Sequence, residues 1–176
     1  MTPTPSDFAL IYDEHVWRVY GYFAYRMRNR SDVEDLTQQT FERALKSWSR
    51  YDSTRAGVAT WLLVIARNLF VDHLRADRSA HQQPLDELDG RHDALVDDAD
   101  QPNLGLEPDL ERALESLGAR EREVIALRFG GELSGPEIAE AMDLTLANVQ
   151  QILSRSLRRM RAEIEETGSD DGVAKG

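Results

Sequence analysis

The chain has 176 residues, no cysteine, four histidines and a formal net charge of −11, with 21 Lys and Arg against 32 Asp and Glu. Without cysteine there is no disulfide framework and no thiolate zinc site, and the spacing of His15, His73, His81 and His92 suits none of the usual metal-ligand patterns. No run of about 18 apolar residues exists to span a membrane and the N-terminus lacks the apolar stretch of a signal peptide, so no membrane insertion is expected and the protein reads as soluble and cytoplasmic.

This length suits two small domains of roughly 70 to 80 and 50 to 60 residues. The first, residues 1–80, reads as helical throughout, because its apolar residues recur at three and four. Ser6 or Asp7 is positioned to cap a helix carrying Phe8, Ile11, Tyr12, Val16, Val19, Tyr20 and Phe23. Ser31 is expected to cap a second, SDVEDLTQQTFERALKSWSRY, with Val33, Leu36, Thr40, Phe41, Ala44 and Trp48 inward and Glu34, Asp35 and Gln38 opposite. After the turn YDSTRAGV comes a third, ATWLLVIARNLFVDHLRADR, whose Leu62, Ile65, Leu69 and Leu74 contribute to a broad apolar face. Asn68 and Asp72, four apart, share one side of it.

The charge is not spread evenly. Residues 1–80 hold 11 basic against 10 acidic side chains and residues 118–163 hold seven of each, whereas residues 81–117 hold 11 acids against two arginines. The segment 81–107, with Pro84, Gly90, Pro102 and Gly105 and no sustained apolar period, is therefore expected to be a flexible, self-repelling acidic linker. Composition alone makes it a solubilising connector; a functional alternative is a strap that threads a basic channel in a partner.

The second domain, residues 108–164, carries the strongest signal. Ser134 and Glu137 stand at capping-box spacing with Pro136 in the first turn, Ile138, Ala139 and Met142 point inward, and Asp143 and Leu144 make a turn before Thr145 caps a long helix. On a wheel of that helix Leu146, Val149, Leu153, Leu157, Met160 and Ile164 form the buried stripe, and Asn148, Gln151, Arg155 and Arg158 lie opposite, where Asn and Gln suit adenine and Arg suits guanine or phosphate. An arginine-rich helix end also complements its own macrodipole, and alone would mean no more than that. With the capped helix and the turn ahead of it, the pattern is a DNA-reading helix-turn-helix. The net charge nonetheless has the wrong sign for a protein that binds DNA unaided by neutralising phosphates. Residues 165–176 read as a disordered tail.

Three motifs in order, DVEDLTQQTFERA, TWLLVIARNLFVDHLRADR and LESLGAREREVIALRFGGELSGPEIAEAMDLTLANVQQILSRSLRRMR, make residues 7–163 resemble regions 2 and 4 of an extracytoplasmic-function (ECF) sigma factor of the sigma-70 family. The resemblance implies an all-α fold of two small helical domains, a region 2 bundle and a region 4 helix-turn-helix, joined by the acidic linker. It implies a promoter-specificity subunit that needs no cofactor, binds core RNA polymerase at the clamp helices of the largest subunit and at the flap, and is held silent by an anti-sigma factor. Asp32, Glu34, Asp35 and Gln38 match the polymerase-docking surface. The loop from Tyr51 to Gly57, including Tyr51 and Arg55, and the helix positions Asn68 and Asp72 match the part that opens the minus-10 element and captures a flipped base.

By the same resemblance Asn148, Gln151 and Arg155 face minus-35 bases and Arg158 and Arg159 face phosphate. The sequence departs from the family's VGTVKSRLHRARRRLR pattern, with Gln150 and Ile152 where relatives carry basic residues. Ile152 lies off the expected buried stripe, and is assigned to the exposed face, against a thymine methyl or a protein partner. A polymerase-independent helix-turn-helix regulator is the runner-up, weakened by the lack of a dimerisation heptad to place two half-sites. No nucleophile–base pair, phosphate-binding glycine loop or paired-carboxylate site suggests an enzyme.

Overall fold

The computed structural model describes residues 5–80 and 106–170, the first two and last four of these as backbone only, and every regular element among the described residues is helical. Most of the expected linker, and the tail beyond Asp170, lie outside the described residues. Helix α1 spans Pro5–Ala24, α2 Arg30–Ser47, followed by a 3-10 turn Trp48–Arg50, and α3 Val58–Ala80. Pro5, with its φ already helical, opens α1 ahead of the expected Ser6 or Asp7 cap, and Asp7 falls in the first turn where its charge complements the dipole. Ser31 does not cap α2: Asn29 does, its Oδ1 accepting from the Asp32 N–H at 3.2 Å.

Val19, Tyr22 and Phe23 of α1, Val33, Leu36, Phe41 and Ala44 of α2, and Leu62, Leu63, Ile65, Ala66, Leu69 and Phe70 of α3 form the core of this first block. Thr37 and Thr40 are buried with them because their hydroxyls donate to the Val33 and Leu36 carbonyls of the preceding turn, both at 2.7 Å.

The second block contains α4 (Pro108–Glu115), α5 (Ala119–Ile125), a π-helical turn (Ala126–Gly130), α6 (Gly135–Met142) and α7 (Leu146–Asp170). Buried Arg122 ties α4 to α5 by donating to the Leu114 and Leu117 carbonyls at 3.0 Å. The capping box forms: the Ser134 N–H donates to Glu137 Oε2 at 2.7 Å and its hydroxyl to the same oxygen at 2.6 Å. Asp143 makes the helix-to-helix turn in the left-handed region, φ 53, a conformation that an aspartate tolerates better than most residues. Helix α7 continues six residues into the segment expected to be a disordered tail.

The buried stripe of α7 differs from the expected one. Val149, Ser156 and Met160 are buried and Ile152 and Leu153 pack on the core, while Leu146, Leu157 and Ile164 are 41%, 43% and 39% exposed. Leucine spacing alone places the stripe elsewhere, but α4, α5 and α6 all pack on α7 along a line that passes through the small Ser156. That line lies to the Ile152 side of Leu157, so Ile152 is half-buried and is not the free DNA-facing residue expected.

The two blocks share one core. Val124, Ala126, Leu127, Leu133, Ile138 and Val149 belong to the same cluster as the buried faces of α1 and α3. At the seam α1 meets the π turn backbone to backbone: a Cβ on Gly21 would stand 2.5 Å from the Gly130 carbonyl oxygen, and one on Gly130 2.4 Å from the Gly21 carbonyl oxygen. Beside it, Tyr22 donates to Glu123 Oε1 at 2.8 Å, and Arg26 and Arg67 flank the same carboxylate at 3.4 and 3.5 Å. Arg18–Glu132 at 3.3 Å and Arg28–Glu115 close the rim.

Candidate polymerase and promoter interfaces

The outer face of α2 is acidic because the inward positions take all its large apolar residues but Leu45. Glu34, Asp35 and Gln38 are exposed on it. Glu34 accepts from Arg30 Nε at 2.8 Å and Gln38 donates to Glu42 Oε1 at 2.9 Å, exposed pairs that orient side chains without adding much stability. Asp32 is half-buried and sits 3.9 Å from His73 Nε2 on α3, apart from the other three. A groove between α1 and α2 borders this face, lined by Phe8, Tyr12, Trp17, Tyr20, Phe41 and Leu45. Trp17 is 75% exposed and Tyr12, expected in the core, is 43% exposed while still packing on the Phe41 ring at 4.7 Å.

The loop from Tyr51 to Gly57 is held in one shape by its own residues. The Tyr51 ring stacks on Trp48 with centroids 5.0 Å apart, lies 4.9 Å from Trp61, and its hydroxyl donates to the Ala56 carbonyl at 3.0 Å. Partial burial, with Asp52 adding to it, raises the Tyr51 pKa, so the phenol keeps its proton. Asp52 accepts from the Thr54 hydroxyl at 2.6 Å and its N–H at 2.9 Å, and these bonds hold its pKa below the usual value.

Tyr51 and Arg55 share a concavity with Thr60, Trp61 and Val64 of α3, and Glu140 and Ala141 of α6 close its other side. The Thr60 hydroxyl in its wall is buried and has no hydrogen-bond partner among the described residues. Asn68 and Asp72 continue the Trp61 and Val64 stripe along α3 but do not line that concavity, so two of the four expected minus-10 residues stand apart from the other two. Both are exposed, and Asp72 lies 3.7 Å from Arg43 and 4.0 Å from Arg75.

On α7 the Thr145 hydroxyl accepts the Asn148 N–H at 3.2 Å, the expected cap. Asn148, Gln151, Arg155, Arg158 and Arg159 are all exposed on one side of the helix or its flanks. Arg159 is drawn to Glu121 at 3.6 Å, which leaves Arg155 and Arg158 as the less encumbered cations. At 1.5 Å per residue, Asn148 to Arg159 covers about 17 Å, or roughly five base steps of groove. Among the described residues no cluster of His, Asp and Glu could hold a metal ion, and no helix is long and apolar enough to cross a membrane.

Sequence reasoning missed the seam. Tyr22, Arg26 and Glu123 carry no motif, and only the glycine pair Gly130-Gly131, inside a run otherwise suited to helix, signalled a close backbone approach.

The family models for sigma-70 region 2 and sigma-70 region 4 match residues 11–80 and 113–162. The chain is 29% identical over 165 residues to the ECF RNA polymerase sigma factor SigX of Bacillus subtilis, covering 91% of this chain and 84% of that one. It is 30% identical over 157 residues to the ECF RNA polymerase sigma factor RpoE of Cereibacter sphaeroides, covering 89% and 85%. In fold it resembles the sigma factor RpoE of Bartonella quintana, solved with the anti-sigma factor NepR, with a TM-score of 0.70 at 19% identity over 90% of this chain and 97% of that one. It likewise resembles CnrH, solved with the cytosolic domain of CnrY, with a TM-score of 0.66 at 20% identity over 93% and 90%. The chain belongs to the ECF sigma factors of the sigma-70 family, which give RNA polymerase promoter-specific initiation.

Proposed function

We propose that the first block docks this sigma factor on core polymerase through the outer face of α2, with Glu34, Asp35 and Gln38 meeting the clamp helices of the largest subunit and Asp32 at the margin. The observation that carries the reading is that an exposed acidic face and an exposed arginine-bearing face belong to different blocks of one chain. Carboxylates on α2 would pair with basic side chains across a helix-on-helix contact, setting register and association rate, and the neighbouring Trp17 and Tyr12 would supply apolar area.

In the same proposal the concavity behind Tyr51 and Arg55 takes a base extruded from the minus-10 element. Trp61 and Tyr51 supply a stacking wall, Arg55 neutralises phosphate, and Asn68 and Asp72 guide the strand along α3. Helix α7 reads the minus-35 duplex, with Asn148, Gln151 and Arg155 toward base edges and Arg158 and Arg159 toward phosphate. With Ile152 turned to the core, base contact rests on those polar side chains. Region 4 meets the flap, an anti-sigma protein is the expected regulator, and the protein works with polymerase in the cytoplasm as an initiation factor, not an enzyme.

The test is run-off transcription from a pool of genomic fragments with core polymerase alone, this protein alone, and both together. Discrete starts from the mixture only are expected, and their alignment yields the promoter. A silent mixture, together with specific duplex retardation by the protein alone, would overturn the reading.

A further inference from the structure

The DNA-facing side of α7 has a neighbour that lies outside the helix-turn-helix. Asn148, Gln151, Arg155 and Arg159 follow one another at three, four and four residues, so they share one exposed stripe, with Arg159 one turn beyond Arg155. A free guanidinium there would reach any phosphate within the sweep of its long side chain. Its Nη1 lies instead 3.6 Å from Glu121 Oε2 on α5, a helix packed against α7.

The carboxylate is fixed in place before it meets the arginine. The same Oε2 accepts the Gly118 N–H at 3.0 Å across the first turn of α5, and the next residue, buried Arg122, fastens that turn to the Leu114 and Leu117 carbonyls. The Glu121 side chain is 30% exposed against 57% for Arg159, so the acid is the anchor and the arginine the tethered group. An exposed ion pair adds little stability, because ordering two long side chains costs entropy. Here one partner is already ordered by its cap, and what the pair changes is where Arg159 can go.

Phosphate contacts fix orientation and register without reading sequence. A free arginine serves every register equally and raises specific and non-specific affinity together. A tethered one keeps guanidinium donors for a second acceptor, but meets a phosphate only when α7 sits at one depth and angle in the groove. The tether therefore weakens non-specific binding and spares binding in the correct register.

We propose that Glu121 is a positioning residue for minus-35 recognition: it holds Arg159 so that this cation engages the DNA backbone only when Asn148, Gln151 and Arg155 are in register with their bases. The proposal rests on the assignment of α7 to the minus-35 duplex given above, and adds a carboxylate that sets selectivity through an arginine without touching a base.

Glu121→Gln separates the tether from the cap, since a glutamine at this position still accepts the Gly118 N–H. Holoenzyme reconstituted with core polymerase is titrated, over a range of salt and with core alone as background, against two duplexes. One carries the minus-35 element obtained from run-off transcription, and the other carries that element scrambled. Glu121→Gln should bind the scrambled duplex about fivefold more tightly near physiological salt, and the plot of log affinity against log salt should steepen by about 0.9, as one added phosphate contact requires. Affinity for the intact element should change far less, and the melting temperature of the free chain should hold. In an Arg159→Gln background the same substitution should alter neither duplex, because the acid acts through the arginine.

Equal strengthening on both duplexes, or an effect that survives in the Arg159→Gln background, would mean that the carboxylate merely repels DNA, and overturns the proposal. Unchanged binding overturns it too, as does weaker binding to both duplexes with a lowered melting temperature, which would make Glu121 a cap and nothing more. If wild-type holoenzyme does not prefer the intact element to the scrambled one, the minus-35 assignment itself fails, and that arm is read without any variant.

Discussion

The Glu123 carboxylate lies 3.4 Å from the Arg26 guanidinium, and both side chains are less than a tenth exposed although they come from opposite blocks of the chain. Arg67 and the Tyr22 hydroxyl complete the surroundings of that carboxylate. A buried carboxylate so surrounded is balanced, but its removal takes the acceptor from the buried Tyr22 hydroxyl and leaves the buried Arg26 without its counter-charge.

Glu123→Ala should therefore lower stability by about 3 kcal/mol, the order expected when one side of a buried pair is deleted. Glu123→Gln should cost less, since its amide oxygen still accepts from Tyr22. Urea unfolding measures both; equal and small losses would mean that the seam is open in solution.

Tyr22 gives the seam an alkaline limit. Its burial, reinforced by the adjacent Glu123 charge, raises its pKa well above 10.0. Below pH 10 the phenol is neutral in folded and unfolded chains alike and its hydrogen bond contributes in full. Above pH 10 the unfolded chain releases a proton that the folded chain keeps, so stability falls as pH rises. Tyr22→Phe should remove that part of the slope and cost about 1 kcal/mol at neutral pH through the lost hydrogen bond. An unchanged alkaline slope in the variant would assign it to other groups.

The capping box sets an acid limit on α6. Hydrogen bonds from the Ser134 hydroxyl and N–H, in that order, depress the Glu137 pKa below its ordinary 4.5. A depressed carboxylate contributes stability above the unfolded value and loses it as pH falls through the folded one. Ser134→Ala should cost about 1 kcal/mol at pH 7 and less at pH 3, where more of Glu137 is protonated than at pH 7. Thermal melts at the two pH values decide it, and a cost that does not change with pH would show that the serine acts alone.

The elements were legible in the sequence because periodicity and caps are local. Ser134, Glu137, Asp143 and Thr145 all do what their spacing implied, and the inward stripe of α2 differs from the expected one mainly by the added Thr37. Asn29 escaped notice because it stands two residues before the serine that looked like the cap. Ile152 was misplaced because hydrophobicity alone ranks leucine over a buried serine, whereas the line of contact on α7 is set by where α4, α5 and α6 approach it. The seam was legible only in its glycine pair: its residues are distant in sequence, and a tyrosine and an ion cluster leave no periodic trace. The acidic and arginine-bearing faces were readable as faces, while their partners came from resemblance.

Docking by α2 is checked with Asp35→Lys combined with Gln38→Ala, both exposed and outside the core. Association with core polymerase should slow and become less sensitive to salt, as removal of a steering charge requires. Helicity and duplex binding by the helix-turn-helix should stay as they were. Unaltered association kinetics would remove the acidic face from the polymerase contact.

Ile152 and Arg155 separate packing from reading on α7. Ile152 is half-buried against the core, so Ile152→Ala should cost roughly 1–2 kcal/mol of stability, less than a full core truncation, and leave the order of preferred minus-35 sequences unchanged. Arg155 is exposed, so Arg155→Ala should leave the melting temperature nearly fixed while discrimination at one minus-35 base pair falls by about 1–3 kcal/mol. Run-off assays on a set of single-base minus-35 variants, run beside thermal melts, put both substitutions on the same two axes. A change of base preference from Ile152→Ala with no loss of stability would return that side chain to the DNA face and require α7 to rotate by about a third of a turn on binding.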